Sequence, residues 1–296
     1  MALSDLLRLL LLAAIWGSSY LFMRVAAPGF GPVPLVTLRL AGAALFFMPW
    51  LLQARNRALI RGHVLELCCL GVLNSAVPFS LLAFASLRSE AGFNSVLGAT
   101  VPLFAAAVDA LWWRHPLTRQ KIIGLVLGFS GVLVLAWGHI DFHSGGNGWA
   151  LLAALLAALC YGIAAHYGKH HFAGQPVMLP AAGSMLAAAV LIAPLGVWQW
   201  PAHVPPPHDW LAAAVLAVVC TALAYMLYYR IIARVGATTT TSVTFVIPVF
   251  GVLWGALFLH EHITVTIVIG MLVTLLGTAF TTGFIRAPRV HPAPAP

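Results

Sequence analysis

The chain has 296 residues, of which 61% are hydrophobic and 7% are charged. Soluble domains carry about 25% charged residues, so this composition excludes a soluble protein and predicts a chain that lies in a membrane. The formal net charge of +8 does not predict a nucleic-acid partner, because the basic residues stand between the apolar segments instead of clustering on one face.

Short loops of turn-forming and charged residues separate the apolar segments. Helix is the predicted structure, because a backbone in lipid must satisfy its hydrogen bonds within its own segment, and these segments are about twice as long as the strands of a membrane barrel. The ten predicted spans are Leu6–Val25, Val33–Leu52, Val64–Phe84, Ala91–Trp113, Ile122–Gly138, Trp149–Gly168, Val177–Trp198, Trp210–Tyr229, Ala237–Leu259 and Val265–Phe284.

The distribution of Lys and Arg predicts the orientation of these spans. With the N-terminus in the cytoplasm, twelve of the 15 basic residues lie on the inner side, Arg24 and Arg88 lie on the outer side, and Arg39 lies within a span. We therefore expect a multi-pass protein of the inner (plasma) membrane with both termini in the cytoplasm. The Pro-rich residues 286–296 are predicted to form a disordered cytoplasmic tail.

An internal repeat begins in the fourth span. Residues 91–132 align without a gap with residues 237–278, at an offset of 146 that places Pro102 on Pro248. The repeat divides the chain into two halves of five spans, 1–140 and 141–285, and the second half is inverted because five is odd. We predict an all-α membrane protein with ten transmembrane helices arranged as two inverted five-helix repeats. Secondary transporters use this arrangement and bind substrate near the membrane midplane.

The fourth and ninth spans combine a proline with polar side chains, among them Asn94 and Pro102 in one and Thr244 and Pro248 in the other. Proline removes a backbone hydrogen bond, and hydroxyl groups can compensate where the helix faces protein or a water-filled cavity. The alternative is that the small polar residues serve close helix packing. We expect both helices to meet near the midplane, to bend at the prolines and to border the transport path.

Several motifs resemble a known family. "WGSSYLFMRVA" near the start and "LRLAGAALF" in the second span are similar to the first repeat of the EamA-type exporters of the drug/metabolite transporter superfamily, and "IPVFGVLWGALFLHEHIT" is similar to the close of their second repeat. The resemblance implies a ten-helix inverted-repeat fold and export of metabolites or drugs. The YddG-like aromatic amino-acid exporters are the members nearest in kind. Trp16, Arg39, Pro248 and Glu261 fall on positions that recur in the family.

Charged residues inside or beside the spans allow alternatives. Arg39 either contacts substrate or anchors a neighbouring loop, since a charge in hydrocarbon is costly. Asp109 is expected to pair with Arg114, and Glu261 to cap the tenth span or tie its loop. His166 is the candidate proton carrier, because the acidic side chains lie at or near the ends of the spans.

Three aromatic side chains lie deep within the predicted spans. Trp16, Tyr161 and Tyr225 are farther from the membrane interface than is typical of Trp and Tyr, so we expect them to belong to the site. Aromatic walls suit apolar or cationic substrates. The predicted cavity residues are Trp16, Ser19, Tyr20, Arg39, Asn74, Phe79, Asn94, Pro102, Tyr161, Tyr225, Thr244 and Pro248.

These features together predict an exporter of small organic metabolites, with aromatic or apolar amino acids favoured, working by facilitated alternating access. The alternatives are a proton-coupled multidrug exporter and, more remotely, an intramembrane enzyme. We expect no catalytic residue and no cofactor. We also expect no metal, because His260 and His262 do not share a helix face. The expected partners are a small-molecule substrate and membrane lipid, and the expected state is a monomer or weak dimer.

Overall fold

The computed structural model describes residues 2–112, 114–137, 141–143 and 146–285, which form helices and loops without a strand. The tail predicted at 286–296 lies outside the described residues. The ten long helices are α1 (Leu3–Phe30), α2 (Pro32–Phe46), α3 (Val64–Ser86), α4 (Ala91–Trp112), α5 (Arg119–Ala136), α6 (Gly148–His171), α7 (Leu179–Trp198), α8 (Pro207–Val235), α9 (Val243–Leu259) and α10 (Val265–Thr282).

Eight of these helices are long and apolar enough to cross a membrane. The other two, α2 with 15 residues and α9 with 17, are apolar and shorter. Each is extended by a short helix, Met48–Leu51 after α2 and Ala237–Thr240 before α9. The predicted all-α membrane fold is therefore confirmed, and the chain is a multi-pass membrane protein.

Helix contacts follow the inverted repeat. In the first half α1 packs on α8 and α9, and in the second half its equivalent α6 packs on α3 and α4. Gly17 and Gly162, 145 residues apart, make equivalent contacts: a Cβ at Gly17 would lie 2.7 Å from the Cβ of Phe250, and one at Gly162 would lie 2.8 Å from the nitrogen of Ala105. The two halves therefore share one packing scheme.

A second interface pairs α5 with α10. Added Cβ atoms at Gly124 and Gly131 would lie within 3 Å of α10, and one at Gly277 would lie within 3 Å of α5. Small residues allow membrane helices to approach closely, which supplies packing contacts where lipid offers no hydrophobic driving force. This pair also contacts α4 through α10.

The fourth span is interrupted just before Pro102. Regular helix ends at Gly98 and resumes at Val101, and the nitrogen of Leu103 donates to the Thr100 oxygen at 2.9 Å. The carbonyl of Ala99 accepts instead from the Thr278 hydroxyl of α10, at 3.1 Å. A neighbouring helix therefore satisfies a carbonyl that the interruption leaves free, as a break at this depth requires.

The ninth span is not interrupted at its proline, and the expected bend at Pro248 stays a prediction. Helix α9 continues through Pro248 from Val243 to Leu259, and the break lies earlier, at Thr241 and Ser242. The predicted meeting of the two spans is confirmed, because the Ser95 hydroxyl of α4 donates to the Pro248 carbonyl at 3.4 Å.

The glycine contacts generate a prediction. Gly162→Ala should lower the unfolding temperature, since its Cβ would meet the α4 backbone and force the helices apart, at a cost of about 1–3 kcal/mol. Gly168→Ala on the same helix is the matched control, because its Cβ would lie 3.7 Å from the nearest atom. This control should be neutral or stabilising, as is usual for Gly→Ala in a helix. Thermal unfolding in detergent measures both, and equal effects would contradict the proposed role of the close contact.

Candidate substrate site

Arg39 lies in the middle of α2 and is 4% exposed. Its Nε donates to the Thr221 hydroxyl of α8 at 2.8 Å. Its Nη1 lies 3.7 Å from the sulfur of Met23 in α1, and its guanidinium carbon lies 3.8 Å from the centre of the Phe79 ring in α3. The buried cation therefore joins four helices drawn from both halves.

The acidic side chains lie elsewhere. Among the described residues no carboxylate oxygen lies within ion-pair distance of Arg39. The contacts of acidic with basic side chains join Asp5 to Arg8 and Arg234, Asp109 to His115, Lys121 and His166, Asp141 to His143, and Asp209 to His208. Arg39 is thus a buried charge without a counter-ion in the part of the chain that the structure describes, an arrangement that is costly in a membrane and typical of functional sites.

Two π-helical turns shape this region. They span Val72–Ala76 in α3 and Val218–Leu223 in α8 and occupy equivalent places in the two repeats. The turn in α8 holds Thr221, whose hydroxyl donates to the Leu216 carbonyl at 2.8 Å while its oxygen accepts from Arg39. Such turns are frequent at functional sites. The sequence reasoning missed Thr221, since a lone hydroxyl in an apolar helix carries no distinctive signal.

Aromatic side chains surround the guanidinium. The Asn74 amide in the α3 turn donates to the Tyr225 hydroxyl at 3.2 Å. The rings of Trp16 and Tyr225 are 6.0 Å apart, and those of Phe79 and Tyr161 are 6.4 Å apart. We call this set the central cluster, and its members are Trp16, Tyr20, Arg39, Asn74, Phe79, Tyr161 and Tyr225.

Most members of the central cluster combine a deep position with partial exposure. Tyr20, Tyr161 and Tyr225 lie deep in the bundle, close enough to Arg39 to interact with it electrostatically. They are nevertheless only half-buried, as are Trp16 and Asn74. The assignment of these side chains to the wall of a substrate cavity stays a prediction, and such a wall would combine aromatic faces with polar groups.

The other predicted site residues do not join the central cluster in the described contacts. Asn94 is fully buried and accepts a hydrogen bond from Ser89 at 2.8 Å. The hydroxyl of Thr244 donates to the Thr241 carbonyl. Pro102 lies at the α4 break and Pro248 at the α4–α9 contact described above, while Ser19 is buried in α1. The assignment of these five residues to the path stays a prediction.

Glu261 corrects an expectation about the tenth span. Its carboxylate accepts from the backbone nitrogens of Ala91 and Gly92 at 2.7 and 3.1 Å, so it caps α4. The N-terminus of α10 is capped by Thr264, which accepts from Ile267 at 3.2 Å. The first N–H groups of a helix lack intrahelical partners and attract negative charge, which explains why the carboxylate lies there.

Asp109 also differs from expectation. It pairs with Lys121 at 3.3 Å and with His115 at 2.9 Å, in place of the expected Arg114. His166 approaches the same carboxylate, with its Nδ1 at 4.0 Å, and its Nε2 lies 2.9 Å from the Ala105 carbonyl. These residues form a charged group at the end of α4, distant in sequence from the Glu261 cap.

Two grooves between helices have a different lining from the central cluster. One, of about 570 Å³, lies between α1, α8 and α9, and the other, of about 560 Å³, lies between α2, α3 and α7. Both are lined mainly by apolar side chains, which suits contact with lipid better than recognition of a polar solute.

The fold and its central cluster define a membrane protein built from a duplicated helical unit, the class to which many secondary transporters belong. The chain belongs to the EamA-like transporter family, whose model matches it twice, at residues 4–137 and 148–283. The duplication predicted from the sequence is thus confirmed, while the boundary predicted between residues 140 and 141 stays a prediction.

Relatives support the same family. The uncharacterized transporter YoaV of Bacillus subtilis is 23% identical over 90% of this chain and 93% of its own. The uncharacterized inner membrane transporter YedA of Escherichia coli is 27% identical over 81% of this chain and 78% of its own. A solved crystal structure of a protein matches with a TM-score of 0.65 at 19% identity, covering 96% of this chain and 98% of that one, and shows a shared fold.

The Glu261 cap generates a prediction. Glu261→Ala should lower the unfolding temperature, because two backbone nitrogens of α4 lose a charged acceptor, at a cost of about 1–2 kcal/mol typical of a lost helix cap. Glu261→Gln keeps an acceptor oxygen and should lose less. Glu66→Ala, a carboxylate in the first turn of α3, is the control. Thermal unfolding in detergent compares the three, and a loss for Glu66→Ala as large as that for Glu261→Ala would contradict the specific cap.

Proposed function

We propose that the protein exports small organic metabolites, with amino acids as the first candidates, across the inner (plasma) membrane. The observation that carries this proposal is the central cluster, which combines a buried cation, amide and hydroxyl groups and aromatic faces between the two halves of a transporter-family fold. Membership of the family and the inner-membrane relative YedA support the general activity. Aromatic faces support an apolar or aromatic portion of the substrate.

We further propose alternating access between the two sides of the membrane. The first half of α4 packs against both α9 and α6 beside the Glu261 cap, and its second half packs against α6. If the N-terminus is in the cytoplasm, the Glu261 cap lies on the outer side of the membrane. The contact between α4 and α9 beside the cap then lies on the outer side too. Separation of that contact would open the path outward, and rocking of one repeat against the other is the usual movement in inverted-repeat transporters.

The energy source is proposed to be the substrate gradient. The described ion pairs leave no carboxylate beside Arg39, and a proton-coupled carrier commonly uses a titratable group at that depth. A proton-coupled drug exporter is the second candidate, and the approach of His166 to Asp109 is the observation that favours it.

Efflux from proteoliposomes tests the function and the energy source together. We expect vesicles loaded with a panel of amino acids to lose at least one of them faster than protein-free vesicles, without an imposed pH gradient. A gradient should change the rate little, because the proposed path contains no proton carrier. Efflux that requires the gradient would contradict facilitated export, and loss of that dependence in His166→Gln or Asp109→Asn would favour the second candidate. Absence of efflux across the panel would contradict amino-acid export.

The proposed orientation gives a separate prediction. Reporter fusions after Arg57, Lys121 and Arg289 should report a cytoplasmic position, and one near Asn147 should report the outer side, since the basic loops remain inside. An external signal after Lys121 or Arg289 would contradict the orientation and the outward position of the Glu261 cap.

A further inference from the structure

We propose that Arg39 is the counter-ion for a carboxylate on the transported molecule, so that organic acids and amino acids are accepted and organic cations are excluded. This inference rests on the proposed export function and names the chemical class of its substrate.

The argument begins with the donors of Arg39. A guanidinium carries five N–H donors and no acceptor. Within the described residues the protein uses Nε for Thr221, a 3.7 Å contact of Nη1 with the sulfur of Met23, and the ring of Phe79 for the guanidinium face. No hydrogen bond of Nη2 to a described residue is present. The unused donors form one side of a planar fork, the geometry that binds a carboxylate with two parallel hydrogen bonds.

Charge balance leads to the same ligand. The side chain is 4% exposed, and removing a cation from water is costly unless it gains a partner. The Phe79 ring and the surrounding tyrosines supply partial negative charge without neutralising it. A substrate carboxylate would complete the site when it binds.

The neighbouring groups suit the remainder of an amino acid. Asn74 and Tyr225 are already linked by a hydrogen bond and present polar edges beside Arg39, while Trp16 offers an aromatic face next to Tyr225. A ligand that binds Arg39 through its carboxylate can place an apolar or aromatic side chain against these rings. An ammonium group can lie over an aromatic face, where cations are attracted.

The second half of the chain does not repeat this arginine site. At the repeat offsets of 145 and 146 residues, Arg39 corresponds to Ser184 and its partner Thr221 corresponds to Ser75. Ser184 donates weakly to the Ala181 carbonyl at 3.4 Å, and the Ser75 hydroxyl has no hydrogen-bond partner among the described residues. The second half therefore lacks the cation, and the geometry favours one carboxylate per transport event.

The same charge opposes cationic drugs. A molecule that carries only positive charge would enter a site whose buried cation lacks a counter-ion among the described residues, and like charges in a medium of low dielectric repel strongly. The aromatic walls alone would accept such a molecule, so Arg39 decides between the two substrate classes that the aromatic residues leave open.

Matched ligand pairs test the proposal on the full-length protein in nanodiscs. The probes are L-phenylalanine with L-phenylalaninamide, L-leucine with L-leucinamide, 3-phenylpropionate with 3-phenylpropionamide, and tetraphenylphosphonium as an organic cation. Binding is measured by ligand-dependent shifts of the unfolding temperature and by tryptophan fluorescence. We expect at least one acid to bind about tenfold or more tightly than its amide, the range of one charge-assisted hydrogen bond, and tetraphenylphosphonium not to bind.

Substitutions then assign the preference to one residue. Arg39→Gln should abolish the difference between acid and amide, and Arg39→Lys should restore part of it because the charge remains without the fork. Arg24→Gln is the matched control, since Arg24 is bound to the Ser86 carbonyl at 2.6 Å outside the central cluster, and it should leave the difference unchanged. The comparison of acid and amide binding can be made in the unsubstituted protein. The proposal can therefore be refuted even if Arg39→Gln does not fold.

The outcomes separate this inference from the proposed function. Equal binding of acids and amides, binding of tetraphenylphosphonium, no binding of any acid, or an acid preference that survives in Arg39→Gln would overturn it. Efflux of an amide as fast as that of its acid, or efflux of an organic cation, would leave a transporter standing and refute the carboxylate site. Tight binding of an acid without efflux would support the site and refute export.

Discussion

The structure depends on one constraint, that a backbone group in hydrocarbon must have a partner inside the protein. The interruption of α4 leaves the Ala99 carbonyl free, and the hydroxyl of Thr278 in α10 donates a hydrogen bond to it. The start of α4 leaves free N–H groups, and Glu261 from the loop after α9 accepts from two of them. Both irregular points of α4 are therefore tied to the second half of the chain.

These hydrogen bonds depend on the close approach of the helices. Thr278 reaches Ala99 because α10 lies against α4, and the approach of α10 to α5 depends on glycines such as Gly124 and Gly277. Because close packing and local hydrogen bonding stabilise the same interface, a side chain added at one of these glycines would disturb both. The fold is thus a set of pairwise contacts between small residues, with a few hydroxyl and carboxylate groups at the irregular points.

Much of this architecture could be predicted from the sequence because two signals are strong in lipid. Long apolar segments give the number and type of the helices, and the gapless alignment of the repeats gives their inverted arrangement, which the equivalent contacts of Gly17 and Gly162 reproduce. The details that could not be predicted depend on tertiary partners. Pro248 resembles Pro102 in sequence, yet regular helix continues through Pro248 and is interrupted before Pro102. Glu261 is near the tenth span in sequence, but its carboxylate accepts from N–H groups of α4.

The candidate site shows the same division. Arg39 was identifiable because a charge within an apolar span is unusual, and Trp16, Tyr161 and Tyr225 because of their depth. The contacts of Arg39 with Thr221 and Phe79 join helices that are distant in sequence, so the contacts themselves could not be predicted. Asn94 has a polar side chain like Asn74, yet it bonds to Ser89 and not to the central cluster, since position around the helix decides which way each amide points.

The inverted repeat makes the remaining differences between the halves informative. In the alternating access proposed above, a symmetric scaffold would give the inward-open and outward-open states similar packing, so the residues that break the symmetry would decide which state is favoured. Glu261 caps α4, while its equivalent, His115, pairs with Asp109. The charged cap therefore has no equivalent in the other half, and in the proposed mechanism it would favour closure on its own side of the membrane. The cation Arg39 likewise belongs to one half, and a ligand that binds it would shift the balance only if its affinity differs between the two states. Selectivity and direction of opening would then both arise from a few polar residues placed on an otherwise symmetric apolar framework.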